Sequence, residues 1–508
     1  MNGCESDRVS RSMRIQRQPH KSHTMKHKSL ARLGIWAMVT AAICSEAALA
    51  QEPDPALRAR LLAAPSSVAQ TQMLAPAPAN TGTEVAEPSG PSQRLTLEQA
   101  HAIALKNHPG VLAAGFRASA AGEAYIEARS GLLPQINLFG TVAQAESANT
   151  RIMAGGINNP TVYNRSAFGA GASQLITDFG RTSNFAASAR LQASAENQNA
   201  QATREQVLLE VDRNFFAVLQ AQALQNVAQQ TVDTRQLLLD RVSILAANKL
   251  KSDLDVSFAR VALEQSKLLL QSAHNDFDSA LASLSAVLGY GRQQRFELVD
   301  VEPTPAAAAS DLDPLIDEAL QNRPELGSLR DQRDAALRLA RSMRDARFPT
   351  ISAVIATGDA PSHDVRLPDN YAAGGLQLSV PLFAGGFYQA RQHEAEYRAR
   401  VAGETLRAFE DNVARDVRIA WLNLNNSREK LRTTQQLSRY AGDAYQLAEA
   451  RYKAGSSSIV ELSQAQLELT SAQIGEAGAR YDVLIQESAL NYQIGKQTGA
   501  SGERSTTQ

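Results

Sequence analysis

Residues 181–247 read RTSNFAASARLQASAENQNAQATREQVLLEVDRNFFAVLQAQALQNVAQQTVDTRQLLLDRVSILAA, 67 positions without a proline or a glycine. Apolar side chains recur through the stretch at helical spacing, at Leu208, Val211, Phe215, Val218, Leu224 and Val227, which predicts one uninterrupted helix. At about 1.5 Å per residue it would be about 100 Å long, several times the width of a small globular domain. The pattern breaks at Asn248-Lys249-Leu250-Lys251 and restarts at Ser252, running on to Gly289. The chain therefore builds a long rod that folds back on itself, a hairpin over 180–289.

A rod of this length needs neighbours to cover its apolar stripe, and the sequence supplies one by repeating itself. Adding 206 to the residue number maps Gly180 onto Gly386, Ser252 onto Ser458, Asp255 onto Glu461 and Gly289 onto Gly495. Upstream of the rod the offset is 215, which maps Leu97 onto Leu312, Asn107 onto Asn322, Pro109 onto Pro324 and Pro134 onto Pro349. Two constant offsets mean a tandem duplication, with a first repeat over 95–300, a linker over 301–310, a second repeat over 311–497 whose long hairpin spans 386–495, and a tail over 498–508. A unit of about 200 residues is far longer than those of solenoids or propellers, so the molecule is one doubled body. Aromatic residues make up only 5% of the chain, which suits thin, closely packed helices.

The N-terminus reads as a secretory signal over residues 1–50. Lys26, Lys28 and Arg32 form a basic start, Leu33 to Ile43 an apolar run and Ala48-Leu49-Ala50 a small-residue cleavage site, with Met25 as the expected initiator. Both cysteines, Cys4 and Cys44, fall in this segment, so a chain processed after Ala50 carries no thiol. Its removal takes eight basic and three acidic side chains, leaving 43 basic against 49 acidic and a net charge of −6. That balance argues against a nucleic-acid partner. Residues 51–94 are rich in Pro, Ala, Ser and Thr and read as a flexible arm.

Order is expected to begin at Thr96, with Gln99 three residues on as a capping box, and Pro109 marks a break between two helices. In each half a helix then ends at proline, Pro134 or Pro349, and the period changes from 3.6 to 2. Strands are expected at about 135–145 and 166–176 in the first half and at about 350–357 and 372–382 in the second, joined by turn-rich loops over 147–163 and 358–370. Strands of about ten residues cross a bilayer when tilted. Four strands cannot close on themselves, since the smallest membrane barrels use eight and open edges are not tolerated in hydrocarbon. If these hairpins lie in a membrane the chain is an oligomer, and three copies supply twelve strands, a permitted even count.

Several local motifs accompany this architecture: Leu97-Glu98-Gln99-Ala100 with Asn107-His108-Pro109, Asp178-Phe179-Gly180-Arg181, Leu382-Phe383-Ala384-Gly385-Gly386, Leu254-Asp255-Val256, Arg451-Tyr452-Lys453-Ala454-Gly455 and Ile459-Val460-Glu461-Leu462. In this order, and twice over, they resemble the TolC-like outer membrane efflux protein family, across about Leu95 to Gly495. The resemblance implies a mainly helical fold with a transmembrane β-barrel part, duplicated long α-hairpins plus two β-hairpins per chain, and a homotrimer forming a 12-stranded barrel and a 12-helix periplasmic tunnel. It also implies partners, a periplasmic adaptor (membrane fusion protein) and an inner-membrane transporter, with outer membrane lipid around the barrel. The function expected is a passive exit duct for tripartite efflux or type I secretion. The alternative is a non-conducting periplasmic tethering protein built of the same rods, which a heat-modifiable, pore-forming trimer would exclude.

No catalytic constellation is visible and no cofactor or metal is expected, because the five mature histidines are scattered and no zinc-protease motif, P-loop or nucleophile elbow occurs. The rod tips carry the candidate residues. Ser458 to Glu461 reads as a capping box, and Ser252 to Asp255 as nearly one. The resemblance assigns Glu461 and Gln464 to a narrowing ring at the periplasmic entrance, with Gln464 standing where a second carboxylate is expected. It places Tyr452 and Asp255 in a latch whose basic member is replaced by Ser457, although Tyr452 reads equally well as packing between helices. Lys249, Leu250 and Lys251 at one tip, and Ala454, Gly455 and Ser456 at the other, are the expected adaptor contacts. Pro134, Pro349, Gly180 and Gly386 mark the joints between helices and strands.

Overall fold

The computed structural model describes residues 93–143, 165–302, 311–362 and 369–496. The expected signal region, the arm as far as residue 92, the loop over 147–163, positions 303–310 of the linker and the tail lie outside the described residues.

In chain order the elements are β1 (Gln93–Leu95), α1 (Leu97–Asn107), α2 (Pro109–Ser130), β2 (Gln135–Ala143), β3 (Arg165–Thr177), α3 (Arg181–Ala247), α4 (Asp253–Val287), β4 (Phe296–Leu298), α5 (Leu312–Asn322), α6 (Pro324–Asp345), β5 (Thr350–Ser362), β6 (Asn370–Ser379), α7 (Phe387–Lys453) and α8 (Ile459–Gln493). The duplication is reproduced helix by helix: α1 and α5 have 11 residues each, α2 and α6 have 22, α3 and α7 have 67, and α4 and α8 have 35.

Local chemistry sets these boundaries. Thr96 accepts from the Gln99 amide at 3.3 Å while the Gln99 side chain accepts from the Thr96 amide at 3.1 Å, which closes the expected capping box. At the elbow between α1 and α2, Pro109 takes the first helical position and pushes His108 into an extended backbone, φ −67° and ψ 122°. Arg323 before Pro324 has the same geometry, φ −65° and ψ 123°. Each rod begins at a left-handed glycine, Gly180 with φ +104° and Gly386 with φ +84°.

The rod helix α3 packs against α2, α4, α6 and α8, and α7 packs against α5, α6 and α8. Contact between α3 and α8 thus joins the two repeats side by side. Four apolar clusters result among the described residues. The first is centred on Val211, Phe215, Val218 and Leu284, the second on Val413, Val417, Leu326 and Ala319, and the third lies at the rod tips. In the fourth, where α2 meets α3, the contact residues are Ala114, Ala118 and Ala200, small enough for the two helices to approach closely.

Four strands form one antiparallel sheet in the order β2-β3-β5-β6, so β3 and β5 bind the two repeats together and β2 and β6 are its edges. Gly169 and Gly358 face each other across that central pair, and a Cβ at either position would overlap the backbone of the opposite strand. Ile136, Leu138 and Val142 of β2 and Leu376 and Leu378 of β6 project apolar side chains into the surroundings.

Two strand limits differ from expectation by more than two residues. β5 continues past residue 357 to Ser362, shortening the expected 358–370 loop, because Gly358 and Asp359 still pair with Tyr371 and Asn370. β6 ends at Ser379 and not at 382, since Pro381 has no amide to offer a ladder. The sequence reading also placed Gln93 and Arg94 in the arm. They instead form β1, which pairs in parallel with β4 and carries Leu95 and Leu298 into the first core. Strands of three residues leave no periodic signal to read.

Candidate functional site at the rod tips

Both rods end in the same turn. At the first tip Lys249 donates to the Ala246 carbonyl at 2.8 Å and Leu250 to the Leu245 carbonyl at 2.9 Å. At the second, Gly455 donates to Tyr452 at 3.1 Å and Ser456 to Arg451 at 2.9 Å. These are paired Schellman closures, which require a left-handed residue after the helix cap. Gly455 supplies it at φ +73° without steric cost, whereas Lys249 supplies it at φ +60° with a Cβ in place. Ala454 is the cap residue of α7, and Leu250 and Ser456 are exposed.

The restart of the second helix differs between the tips. Ser252 accepts from the Asp255 amide at 3.2 Å, and the Asp255 carboxylate accepts from the Ser252 amide at 3.1 Å and from its hydroxyl at 3.0 Å, a complete box. Ser458 accepts from the Glu461 amide at 3.3 Å, but the Glu461 carboxylate does not return to the cap. It pairs with the Arg451 guanidinium at 2.9 Å. This reverses the sequence expectation, in which Glu461 completed the box and Asp255 nearly did. The reason is what each carboxylate can reach: Glu461 has a cation on the preceding helix, and the counterpart of Arg451 in the first rod is Leu245. Gln464, one turn on and also exposed, donates to Glu468 at 2.8 Å.

Between the two hairpins lies the third core, built from Val242 of α3, Val256 and Ala259 of α4, Ala448 and Tyr452 of α7, and Ile459 and Leu462 of α8. Tyr452 is 5% exposed, and the Lys251 ammonium stands 4.3 Å from its ring centroid. The tyrosine thus packs between helices, and a cation from the other hairpin covers its face. Its hydroxyl and the Ser457 hydroxyl are buried without a hydrogen-bond partner among the described residues. Burial first, and then the Asp255 charge, raise the Tyr452 phenol above its ordinary value, so it remains a donor. The structure therefore brings Lys251, Asp255 and Tyr452 to one place, and Glu461 with Arg451 to another. The sequence signal for the second pair is a cation ten residues before a carboxylate, across a turn.

The joints sit at the far end of the rods. Pro134 precedes β2 and Pro349 precedes β5, while Asp178 caps α3 by accepting from the Gly180 amide at 3.2 Å and the Thr182 amide at 2.8 Å. Among the described residues no group of three or more His, Cys, Asp or Glu side chains is placed to hold a metal ion, and no helix is long and apolar enough to cross a membrane.

Comparison with known proteins bears on this architecture as a whole. A sequence model of the family described as outer membrane efflux protein matches residues 102–290 and 315–496. Outer membrane protein TolC of Salmonella enteritidis is 25% identical over 416 residues, 80% of this chain and 82% of that one. The toluene efflux pump outer membrane protein TtgC of Pseudomonas putida is 23% identical over 81% of this chain and 86% of its own. Among solved structures, the Campylobacter jejuni CmeC outer membrane channel superposes with a TM-score of 0.67 at 18% identity, covering 85% of this chain and 96% of that chain, a likeness of fold.

Proposed function

This chain belongs to the outer membrane efflux protein family, and we propose that three copies of it assemble into one exit duct that opens to the cell exterior. It is an outer membrane channel subunit of the class that serves efflux and type I secretion systems. The observation that carries the trimer is the sheet: four strands with free edges at β2 and β6, apolar on the outside and too few to close. Three such sheets give twelve strands, and three pairs of hairpins give twelve helices around a tunnel. At about 1.5 Å per residue, rods of 67 residues reach about 100 Å from the sheet.

In this reading the tips are the periplasmic mouth. Glu461 and Gln464 repeat in each copy as a polar ring in which each Glu461 carboxylate is paired with Arg451. Lys251 over the Tyr452 ring, together with the apolar core beneath it, holds the two hairpins of one copy together where the mouth narrows. A periplasmic adaptor grips Lys249, Leu250 and Lys251 on one tip and Ala454, Gly455 and Ser456 on the other, and an inner-membrane transporter drives cargo through a passive duct.

The test is extraction of the mature protein in detergent, followed by sizing with and without heating and by reconstitution in planar bilayers. The expected outcome is a heat-modifiable trimer that conducts. A water-soluble, non-conducting monomer would overturn it.

A further inference from the structure

At the elbow of the second repeat a buried polar cluster joins four helices. The Arg323 guanidinium donates to both oxygens of Glu325, from Nη2 at 2.8 Å and Nε at 3.2 Å, and from Nη1 to the Gln493 side-chain oxygen at 3.0 Å. The Tyr492 hydroxyl donates to Glu325 at 3.1 Å, and the guanidinium stacks between the rings of Phe409 and Tyr492 at 5.6 and 5.5 Å. A second carboxyl, Glu205 of α3, enters the same cluster from the first repeat at only 6% exposure. Its hydrogen bond is a long one from Gln201 on its own helix, at 3.3 Å.

The charge balance of this cluster is uneven. Two carboxyls face one guanidinium, whose Nε, Nη1 and Nη2 donate to Glu325 and Gln493. Glu325 holds it bidentately, so Glu205 is the surplus acid, without a cation of its own.

We propose that Glu205 is a proton-operated joint between the two repeats: its carboxyl is uncharged while α3 is docked against the second elbow, and its ionisation loosens that docking.

The groups that face Glu205 are Glu325 and Arg323 at the start of α6 and Tyr492 near the end of α8, with Asp416 of α7 acting on Arg323 from beyond. Burial dominates and pushes the Glu205 carboxyl from 4.5 up to about 7; the Gln201 hydrogen bond opposes this, and the Glu325 charge adds to it. Arg323 moves up, because the Glu325 hydrogen bond and charge more than offset its own burial, and Tyr492 is pushed up to about 12 by burial and Glu325. The pair is thus locked as an ion pair and the lone carboxyl is left to titrate.

The other elbow lacks the device. The counterparts of Arg323 and Glu325 are His108 and Gly110, those of Tyr492 and Gln493 are Ala286 and Val287, and the counterpart of Glu205 is Asp411, which is exposed. The proton-linked joint therefore belongs to the seam where α3 packs on α6.

The sign follows from the raised value. The contribution of Glu205 to stability is full below pH 4.5, is lost progressively as the pH rises to about 7, and is constant above that. Expressed as an opening equilibrium, the shift corresponds to about two orders of magnitude across that window.

The test uses the full mature protein in detergent, melted at a series of pH values, beside Glu205→Gln, which keeps the shape and removes the proton. We expect the difference between the two to be absent near pH 4.5 and to grow to pH 7 in favour of the variant. Infrared difference spectra of wild type against Glu205→Gln at pH 6 give a second readout, a protonated carboxyl band present only in wild type. Identical pH dependence of melting, or absence of that band, would overturn the proposal. Neither measurement requires the protein to conduct, so its failure is separable from failure of the transport reading.

Discussion

Lys249 and Gly455 occupy the same left-handed position at the two rod tips, φ +60° and +73°, and the tips diverge from there. The first tip carries Lys249 and Lys251 and spends its carboxylate, Asp255, on its own helix start. The second tip carries no charge in its turn and sends its carboxylate, Glu461, back to Arg451. One backbone has thus been used twice, with local satisfaction at one tip and a bridge between helices at the other. Duplication preserves the hydrogen-bond skeleton, since both turns need the same closures, and leaves side chains free to take different tasks.

The largest effect expected from disturbing this comparison is in the core the tips share. Tyr452→Ala should cost about 3 kcal/mol locally, as a large buried side chain is lost, and should release both hairpin ends to hydrogen exchange. Tyr452→Phe should be neutral or slightly stabilising, because the deleted hydroxyl has no partner. Protection lost at only one hairpin would mean that the core does not couple them.

Exchanging the turn residues comes next. Gly455→Lys should destabilise the second tip by about 1 kcal/mol, and Lys249→Gly should stabilise the first by a similar amount, read as opposite shifts in hydrogen-exchange protection of the last turns of α7 and α3. Equal responses of one sign would show that the left-handed turn is not what separates them.

Cap deletions sharpen the contrast further. Ser252→Ala should fray the start of α4 at a cost of about 1 kcal/mol, and Ser458→Ala should cost less at α8, where only half the box exists. The reverse order, measured by the same exchange experiment, would contradict the assignment of the complete box to the first tip.

The smallest stability effect belongs to Glu461→Gln. Its pair with Arg451 is exposed on both sides, so the change should stay within about 0.5 kcal/mol. In planar bilayers the same variant should raise ion leak through the closed duct, and unchanged conductance would remove Glu461 from the mouth.

Much of the architecture was readable in the residues because it rests on long, regular signals. The 67-residue rods follow from the absence of helix breakers over 181–247, and the elbows from Pro109 and Pro324, whose rings act on the residue before them. The Thr96 box needed only the Thr-to-Gln spacing. Short or non-local features were not readable: β1 and β4 are three residues each and lie about 200 residues apart in the chain. The Glu461 partner depended on which carboxylate had a cation within reach, and the elbow cluster unites positions 205, 323, 325, 492 and 493, which no periodicity connects.

The exposed edges of β2 and β6 carry a consequence for how the protein matures. A lone copy leaving the inner membrane bears two bare strand borders and an oily outer face, and it cannot rest stably in hydrocarbon. Finding sister copies and entering the bilayer must therefore be one concerted event.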